Sequence, residues 1–180
     1  MPKKLPQNFY QSDTLKVARE LLGKYLIRKI GSKKIIGQII ETEAYCGPND
    51  LASHASCGRT ARTEIMFGPA GYLYVYMIYG MYYCLNIVTE EKDNPSAVLI
   101  RAVKPVAGLD SKIKTDGPGK LCRAFKIDKK QNNTKVFGKE AEIWIEDWQE
   151  KTNKIKSSPR IGVDYAQEYR DKPWRFYIED

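Results

Sequence analysis

Histidine is nearly missing from this 180-residue chain, which has one, His54. Cysteine is sparse and scattered: Cys46, Cys57, Cys84 and Cys122 form no Cys-x-x-Cys pair. A zinc site would have to draw on Cys46, His54 and Cys57, a spacing that matches no common zinc motif. No metal is therefore expected, and isolated thiols suit a reducing compartment better than a disulfide framework. No apolar run approaches membrane-spanning length and no signal-peptide pattern opens the chain, so a cytoplasmic location without a membrane is expected. Repeats are absent, and low complexity is limited to the polar stretch 128–135. Gly117-Pro-Gly-Lys-Leu121 lacks the four-residue spacer of a phosphate loop and the Ser or Thr after its lysine, which excludes nucleotide hydrolysis.

What is abundant is tyrosine and positive charge. The net charge of +8 and pI of about 9.2 point to acidic partners, nucleic acid first, although charge alone only supports a case made elsewhere. Six tyrosines crowd into the fifteen residues from Tyr72 to Asn86. Strand alternation puts Tyr72, Tyr74 and Tyr76 on one face and Leu73, Val75 and Met77 on the other. Gly80 lets the chain turn back, leaving Tyr79 near a hairpin tip and Asn86 on the returning strand. Such a row of rings suits stacking on planar bases. Tyrosine is also a good strand former, so an ordinary aromatic core fits this segment equally well.

The length fits one domain with its own core, residues 1–180, of which 1–8 are expected to be flexible. Ser12-Asp-Thr signals a helix to about Leu22, stopped by Gly23. Residues 25–30 and 35–45 form two strands joined by Gly-Ser-Lys-Lys. Gly47-Pro-Asn-Asp breaks the second strand and caps a short helix carrying His54, and a basic loop spans 57–63. After the tyrosine hairpin come a strand over 97–103, a helix over 121–125, and extended segments at 141–146 and 174–178. Strands outnumber helices and mostly follow one another directly. The expected class is α+β, around a largely antiparallel sheet.

Candidate chemistry gathers in Ile39-Ile-Glu-Thr-Glu-Ala-Tyr45, where alternation puts Glu41, Glu43 and Tyr45 on one face with Ile40, Thr42 and Ala44 behind. Carboxylates beside apolar strand residues are seldom without a task or a partner. One glutamate could activate water; the two would lie about 7 Å apart along the strand, loosely matching an inverting glycosidase. The bland alternative has both facing solvent or pairing with lysines. His54 gains interest from Glu43, Tyr45 and Tyr76, which could surround it. Arg59, Arg62 and Arg101 are candidate phosphate ligands. The glycine and proline ahead of Lys120 leave free amides for a phosphate contact.

With these residues the chain resembles the alkyladenine (3-methyladenine) DNA glycosylase family. The resemblance rests on Glu-Thr-Glu-Ala-Tyr-x-Gly-Pro from Glu41, on His54, and on Arg59-Thr-x-Arg62 leading to Met66-Phe67. It continues through Gly71-x-Leu-Tyr-Val-Tyr-x-x-Tyr-Gly-Met-x-x-Cys-Leu-Asn86, Arg101-Ala, Gly117-Pro-x-Lys-Leu-Cys122, Pro159-Arg-Ile-Gly-Val163 and Arg175-Phe-Tyr177. Thr63 stands where Asn is usual, and Cys57 sits in the arginine loop, departures that bear on DNA contact rather than chemistry.

The resemblance implies a single mixed domain with a curved, largely antiparallel sheet, short flanking helices and a protruding β-hairpin. It implies a monomer that excises damaged purines from double-stranded DNA, with neither metal nor cofactor, in a bacterial-type cytoplasm at the nucleoid. By position, Glu43 would deprotonate the attacking water, and Arg101 would help hold that water or a nearby phosphate. Tyr45 would stack on one face of the flipped base, His54 and Tyr76 on the other, with Asn86 on the pocket floor. Tyr79 would wedge into the duplex, and Arg59, Arg62 and Lys120 would contact phosphates. The resemblance names no general acid and does not rank 3-methyladenine, 7-methylguanine, hypoxanthine and ethenoadenine as substrates. Its rivals are a non-catalytic nucleic-acid-binding module and a sugar glycosidase using Glu41 and Glu43.

Overall fold

The computed structural model describes residues 2–110, 112–152 and 154–179. In chain order they form β1 (Lys3–Lys4), α1 (Gln7–Tyr10), α2 (Thr14–Glu20), β2 (Tyr25–Ile30), β3 (Lys33–Tyr45), β4 (Leu73–Ile78), β5 (Tyr82–Thr89), β6 (Ser96–Ala107), α3 (Pro118–Ala124), β7 (Ile143–Asp147), β8 (Ile155–Ser158) and β9 (Arg175–Ile178). Short 3-10 turns cover His54–Cys57, Glu64–Phe67, Lys129–Gln131 and Gln167–Asp171. The strands join in one open antiparallel sheet in the order β1-β7-β2-β3-β6-β5-β4. Strand β9 adds to the second half of β3, where β2 has ended, and carries β8 on its outer edge. The chain is thus an α+β domain built on a largely antiparallel sheet.

The sheet is buried on one face by the helices. Leu26, Ile39, Leu73, Leu85, Ile87, Ile100 and Phe176 meet Val17, Ala18, Leu21, Leu121 and Phe125 in one apolar cluster. Each of these side chains larger than alanine contributes about 1.5–3 kcal/mol by leaving water. Gly37 permits this packing, because a Cβ there would lie 2.8 Å from Val103 Cγ2 and 3.1 Å from Phe125 Cζ.

Strand β3 changes face along its length. Ile35, Gly37 and Ile39 turn to the core, but its register with β6 shifts on either side of Glu41. One extra residue inverts the alternation. Beyond the shift the even residues point inward: Thr42 donates to Ala18 O at 2.8 Å, and Ala44 joins the core. Glu43 and Tyr45, which unbroken alternation from Ile39 would send into the core, emerge on the opposite face. The sheet registers then line up Tyr74, Asn86, Leu99, Glu43 and Arg175 as direct cross-strand neighbours from β4 through β5, β6 and β3 to β9.

Near the N-terminus Lys3 and Lys4 pair with Asp147 and Glu146, Leu5 N bonds Ile145 O, and α1 follows at once. Within the expected Ser12-Asp-Thr signal, Asp13 caps α2 by accepting from Lys16 N. Other sequence expectations need correction. Ser53, not the Gly-Pro-Asn-Asp segment, caps the turn carrying His54. Ile40 does not stand behind Glu43 with Thr42 and Ala44; Ile39 is the core residue and Ile40 is half-buried.

Candidate active site

On the face away from the helices, the second half of β3 and strands β4–β6 floor a cavity of about 380 Å³, the scale of a small-ligand pocket. Loop residues 52–54 and segment 161–165 wall it. Glu43, Tyr45, His54, Tyr76, Tyr79, Asn86 and Arg101, far apart in sequence, all line this one space.

Glu43 is its sole lining carboxylate among the described residues, and its side chain has no exposure. Oε1 accepts from Ile161 N at 2.9 Å and lies 3.7 Å from the Arg101 guanidinium, while Oε2 accepts from Tyr45 Oη at 2.9 Å. Burial raises the Glu43 pKa above the ordinary carboxylate value. Arg101, the Ile161 N–H and Tyr45 pull it back, and Glu41 pushes the same way as burial. The result is a desolvated but hydrogen-bonded carboxyl group, unlike a surface charge.

Glu41 has a different task. It accepts from Arg101 Nε at 2.8 Å and is bridged by Arg175, and it does not reach the cavity. The bulge separates the two glutamates into an anchor and a pocket group. Among the described residues no second carboxylate joins Glu43 in the cavity, as a sugar glycosidase of the two-carboxylate kind would need.

The aromatic wall is held from behind. His54 Nδ1 and Tyr74 Oη are 2.9 Å apart, and the His54 ring meets Tyr76 edge-on with centroids 4.6 Å apart. Burial, aided by Arg62, depresses the His54 pKa to about 4, so the ring is neutral near pH 7 and one of its nitrogens accepts. Arg62 lies over the Tyr76 ring at 5.1 Å. Asn86 is buried and donates to Tyr74 O at 3.1 Å, which fixes its amide. The Cys84 thiol, raised to about 11 mainly by burial, also lines the cavity and is protonated at neutral pH.

At the rim, β4 and β5 turn over Tyr79 and Gly80. Both have positive φ, 51° and 68°, and Met81 N bonds Ile78 O at 3.2 Å. A left-handed backbone is uncommon for a ring-bearing residue, whereas Gly80 adopts it freely. Tyr79 is 86% exposed, flanked by exposed Met77 and Met81. An apolar tip in water marks a contact surface.

The expected phosphate contacts fare unequally. Arg59 is already engaged by Glu64 at 3.3 Å and by Asp93, and lies over Phe67. Lys120 pairs with Asp116 at 2.8 Å and does not line the cavity. Both pairs are exposed and therefore weak, so an incoming phosphate can displace the carboxylates at small cost.

Sequence reasoning left Tyr74, Cys84, Ile161 and Tyr165 out of the site, and Arg160 and Asp50 behind it. Alternation already aligns Tyr74 with Tyr76. It likewise aligns Cys84 with Asn86, whereas the contacts of Ile161 and Arg160 have no local signal, because Ile161 reaches Glu43 across 118 residues and Arg160 reaches Asp50 across 110. Among the described residues no three His, Cys, Asp or Glu side chains gather as a metal site, and no helix is long and apolar enough to cross a membrane.

Comparison with known proteins adds an independent line. Residues 8–180 match the family described as methylpurine-DNA glycosylase. A relative from Legionella pneumophila (strain Lens), provisionally named a 3-methyladenine DNA glycosylase, is 51% identical over 178 residues, covering 99% of this chain and 96% of its own. Relatives under the same provisional name come from Methanocella arvoryzae, 49% identical with 96% and 91% coverage, and from Desulfitobacterium hafniense, 44% identical with 99% and 96% coverage. With a buried carboxylate in a tyrosine-walled cavity and a family match spanning nearly its whole length, this chain belongs to the methylpurine-DNA glycosylase family.

Proposed function

We propose that this protein flips an alkylated or deaminated purine out of duplex DNA and hydrolyses its N-glycosidic bond with a water activated by Glu43, leaving an abasic site. Family membership makes the chain an N-glycosyl hydrolase acting on DNA; the mechanism and substrate range are our reading. The observation that carries it is the Glu43 carboxylate, unexposed and triply contacted, inside the cavity that Tyr45, His54 and Tyr76 line.

A base inside a duplex cannot be reached, so it must leave the stack. Tyr79 at the hairpin tip would fill the vacated position and offset part of the unstacking cost. In the cavity, Tyr45 would cover one face of the purine and His54 with Tyr76 the other, while Asn86 lines the floor. Electron-rich tyrosine faces favour a cationic ring, as in 3-methyladenine or 7-methylguanine. A cationic purine departs as a neutral molecule. Water attacks C1′ of the sugar, its proton passes to Glu43, and the C1′–N bond breaks with its electron pair going to the departing purine. Arg101, 3.7 Å from Glu43, would hold the water or the neighbouring phosphate.

Hypoxanthine and ethenoadenine belong to the proposed substrate class as neutral members. The partner is double-stranded DNA, bound by a monomer at the nucleoid, with Arg59, Arg62 and Lys120 as phosphate contacts. The test is release of free methylpurines from alkylated duplex DNA by the purified protein. Tight binding to such DNA without any base release would replace this reading with a non-catalytic damage-binding module.

A further inference from the structure

We propose that the buried ion pair of Arg160 and Asp50 is a positioning device that holds Glu43 and Tyr45 in reacting geometry, an inference that rests on the glycosylase reading. Neither side chain has any exposure, and neither lines the cavity. The guanidinium is bidentate to the carboxylate, at 2.6 Å and 2.8 Å. Nη1 and Nη2 also reach two backbone carbonyls, Ala44 O at 2.9 Å and Tyr169 O at 3.2 Å, while the buried Nε has no hydrogen-bond partner among the described residues. Its face lies over the rings of Tyr45, at 4.8 Å, and Trp174, at 5.0 Å.

Those contacts converge on the reacting groups. Ala44 is the residue between Glu43 and Tyr45. The peptide following Arg160 supplies the Ile161 N–H that holds Glu43 Oε1. Asp50 in turn accepts from Cys46 N at 3.0 Å and Ala52 N at 3.1 Å, tying down the loop that leads to His54. One pair thereby joins the end of β3, the 46–54 loop and the 159–163 segment, which carry the base, its hydrogen-bond donor and the rings on both sides of the pocket.

Stability alone does not call for charges here. Two desolvated ions are costly, and an apolar pair of similar volume often serves as well or better. What an apolar pair lacks is a planar fork that reads a carboxylate and two carbonyls at once while stacking on rings, and lysine lacks it too. Displacements of about 1 Å at a reacting group cost on the order of a hundredfold in rate.

The test uses the full-length protein with Arg160→Lys and, independently, Asp50→Asn. Single-turnover release of methylpurine from alkylated duplex is followed at saturating enzyme across pH. Affinity is measured on a duplex with a tetrahydrofuran abasic analogue, and unfolding by thermal melting. Around Glu43 the charged or titratable neighbours are Arg101 on β6, Glu41 and Tyr45 on β3, Arg175 on β9, Cys84 on β5 and Arg160 itself. If the pair positions Glu43, loosening it weakens the Ile161 and Tyr45 bonds that stabilise the carboxylate. The rate constant then falls about tenfold or more, with the acid limb displaced to higher pH and affinity changed less than about threefold. A lower melting temperature with an unchanged rate constant and acid limb would overturn the proposal, as would two variants with no folded fraction. Absence of base release by the unsubstituted protein would instead sink the glycosylase reading on which it rests.

Discussion

Tyr45 Oη donates to Glu43 Oε2 at 2.9 Å, joining the proposed stacking ring to the proposed base. The two residues lie two apart on β3, on one face, beyond the register shift at Glu41. Tyr45→Phe keeps the ring and removes the donor. The bond favours the ionised carboxylate, so its loss raises the Glu43 pKa further. The expected result is excision slowed by about three- to tenfold near neutrality, with recovery at higher pH, since one pKa unit is worth about 1.4 kcal/mol. A pH-independent loss would show that the hydroxyl acts on the purine rather than on Glu43.

Glu43→Gln should keep affinity for lesion-containing duplex and lose excision by at least about a hundredfold, the scale of a positioned general base. Glu41→Gln is the matched control. It frees Arg101 and Arg175 and should lower the melting temperature, with a smaller effect on the single-turnover rate constant. The assignment fails if the Glu43 variant excises at near-normal single-turnover rate, and a larger loss at Glu41 would exchange the two roles.

The raised pKa of Glu43 also predicts a stability effect. Its folded pKa lies above its unfolded one, so the neutral acid favours folding. That contribution is complete below the unfolded value of about 4.3 and disappears as pH rises through the folded pKa. Above that window the buried carboxylate destabilises the protein. Glu43→Gln should therefore melt above the unsubstituted chain at pH 7, with the difference shrinking on acidification. Chemical denaturation at several pH values reads this directly. A variant less stable at pH 7 would mean that the contacts of Arg101, Ile161 and Tyr45 outweigh the burial of the charge.

Much of the frame was legible in the sequence because it is local. The span Tyr25–Ile30 of β2 and the hairpin over Tyr79-Gly80 follow from alternation and turn chemistry, and both stand in the structure. The face on which Glu43 lies did not follow from the core side of β3, because an extra residue near Glu41 leaves no compositional mark. Strand β8 has only four residues, half of them exposed, and gives no periodic signal. Arg160 reads as one more cation in a basic chain, and only folding brings it to Asp50. Local pattern set the strands, while long-range contacts set the electrostatics of the pocket.

Tyr79→Ala should weaken flipping more than chemistry. The ring is exposed at a strained tip and makes no hydrogen bond within the fold among the described residues, so its removal should leave the melting temperature nearly unchanged. Alanine keeps the Cβ that makes a positive φ costly, so the backbone strain at the tip is unchanged and the comparison isolates the ring. Affinity for a duplex with a paired lesion should fall, and less so where the target base is mismatched and costs less to extrude. Equal losses on both substrates would make Tyr79 a general DNA contact and not a wedge.

The product should be an intact abasic strand. An alternative mechanism would attack the sugar with an amine, form a Schiff base and nick the DNA. An amine nucleophile must be largely deprotonated, which for lysine requires an apolar pocket or a neighbouring cation. Among the described residues no lysine lines the cavity around Glu43. Lys120, in the nearest suggestive loop, is exposed and paired with Asp116 at 2.8 Å. Strand cleavage should therefore appear only after added alkali, and borohydride present during turnover should trap no protein–DNA adduct. If an adduct does form and vanishes in Lys120→Ala, the amine is the nucleophile and Glu43 becomes a supporting group; if it persists in that variant, another amine must reach the cavity during turnover.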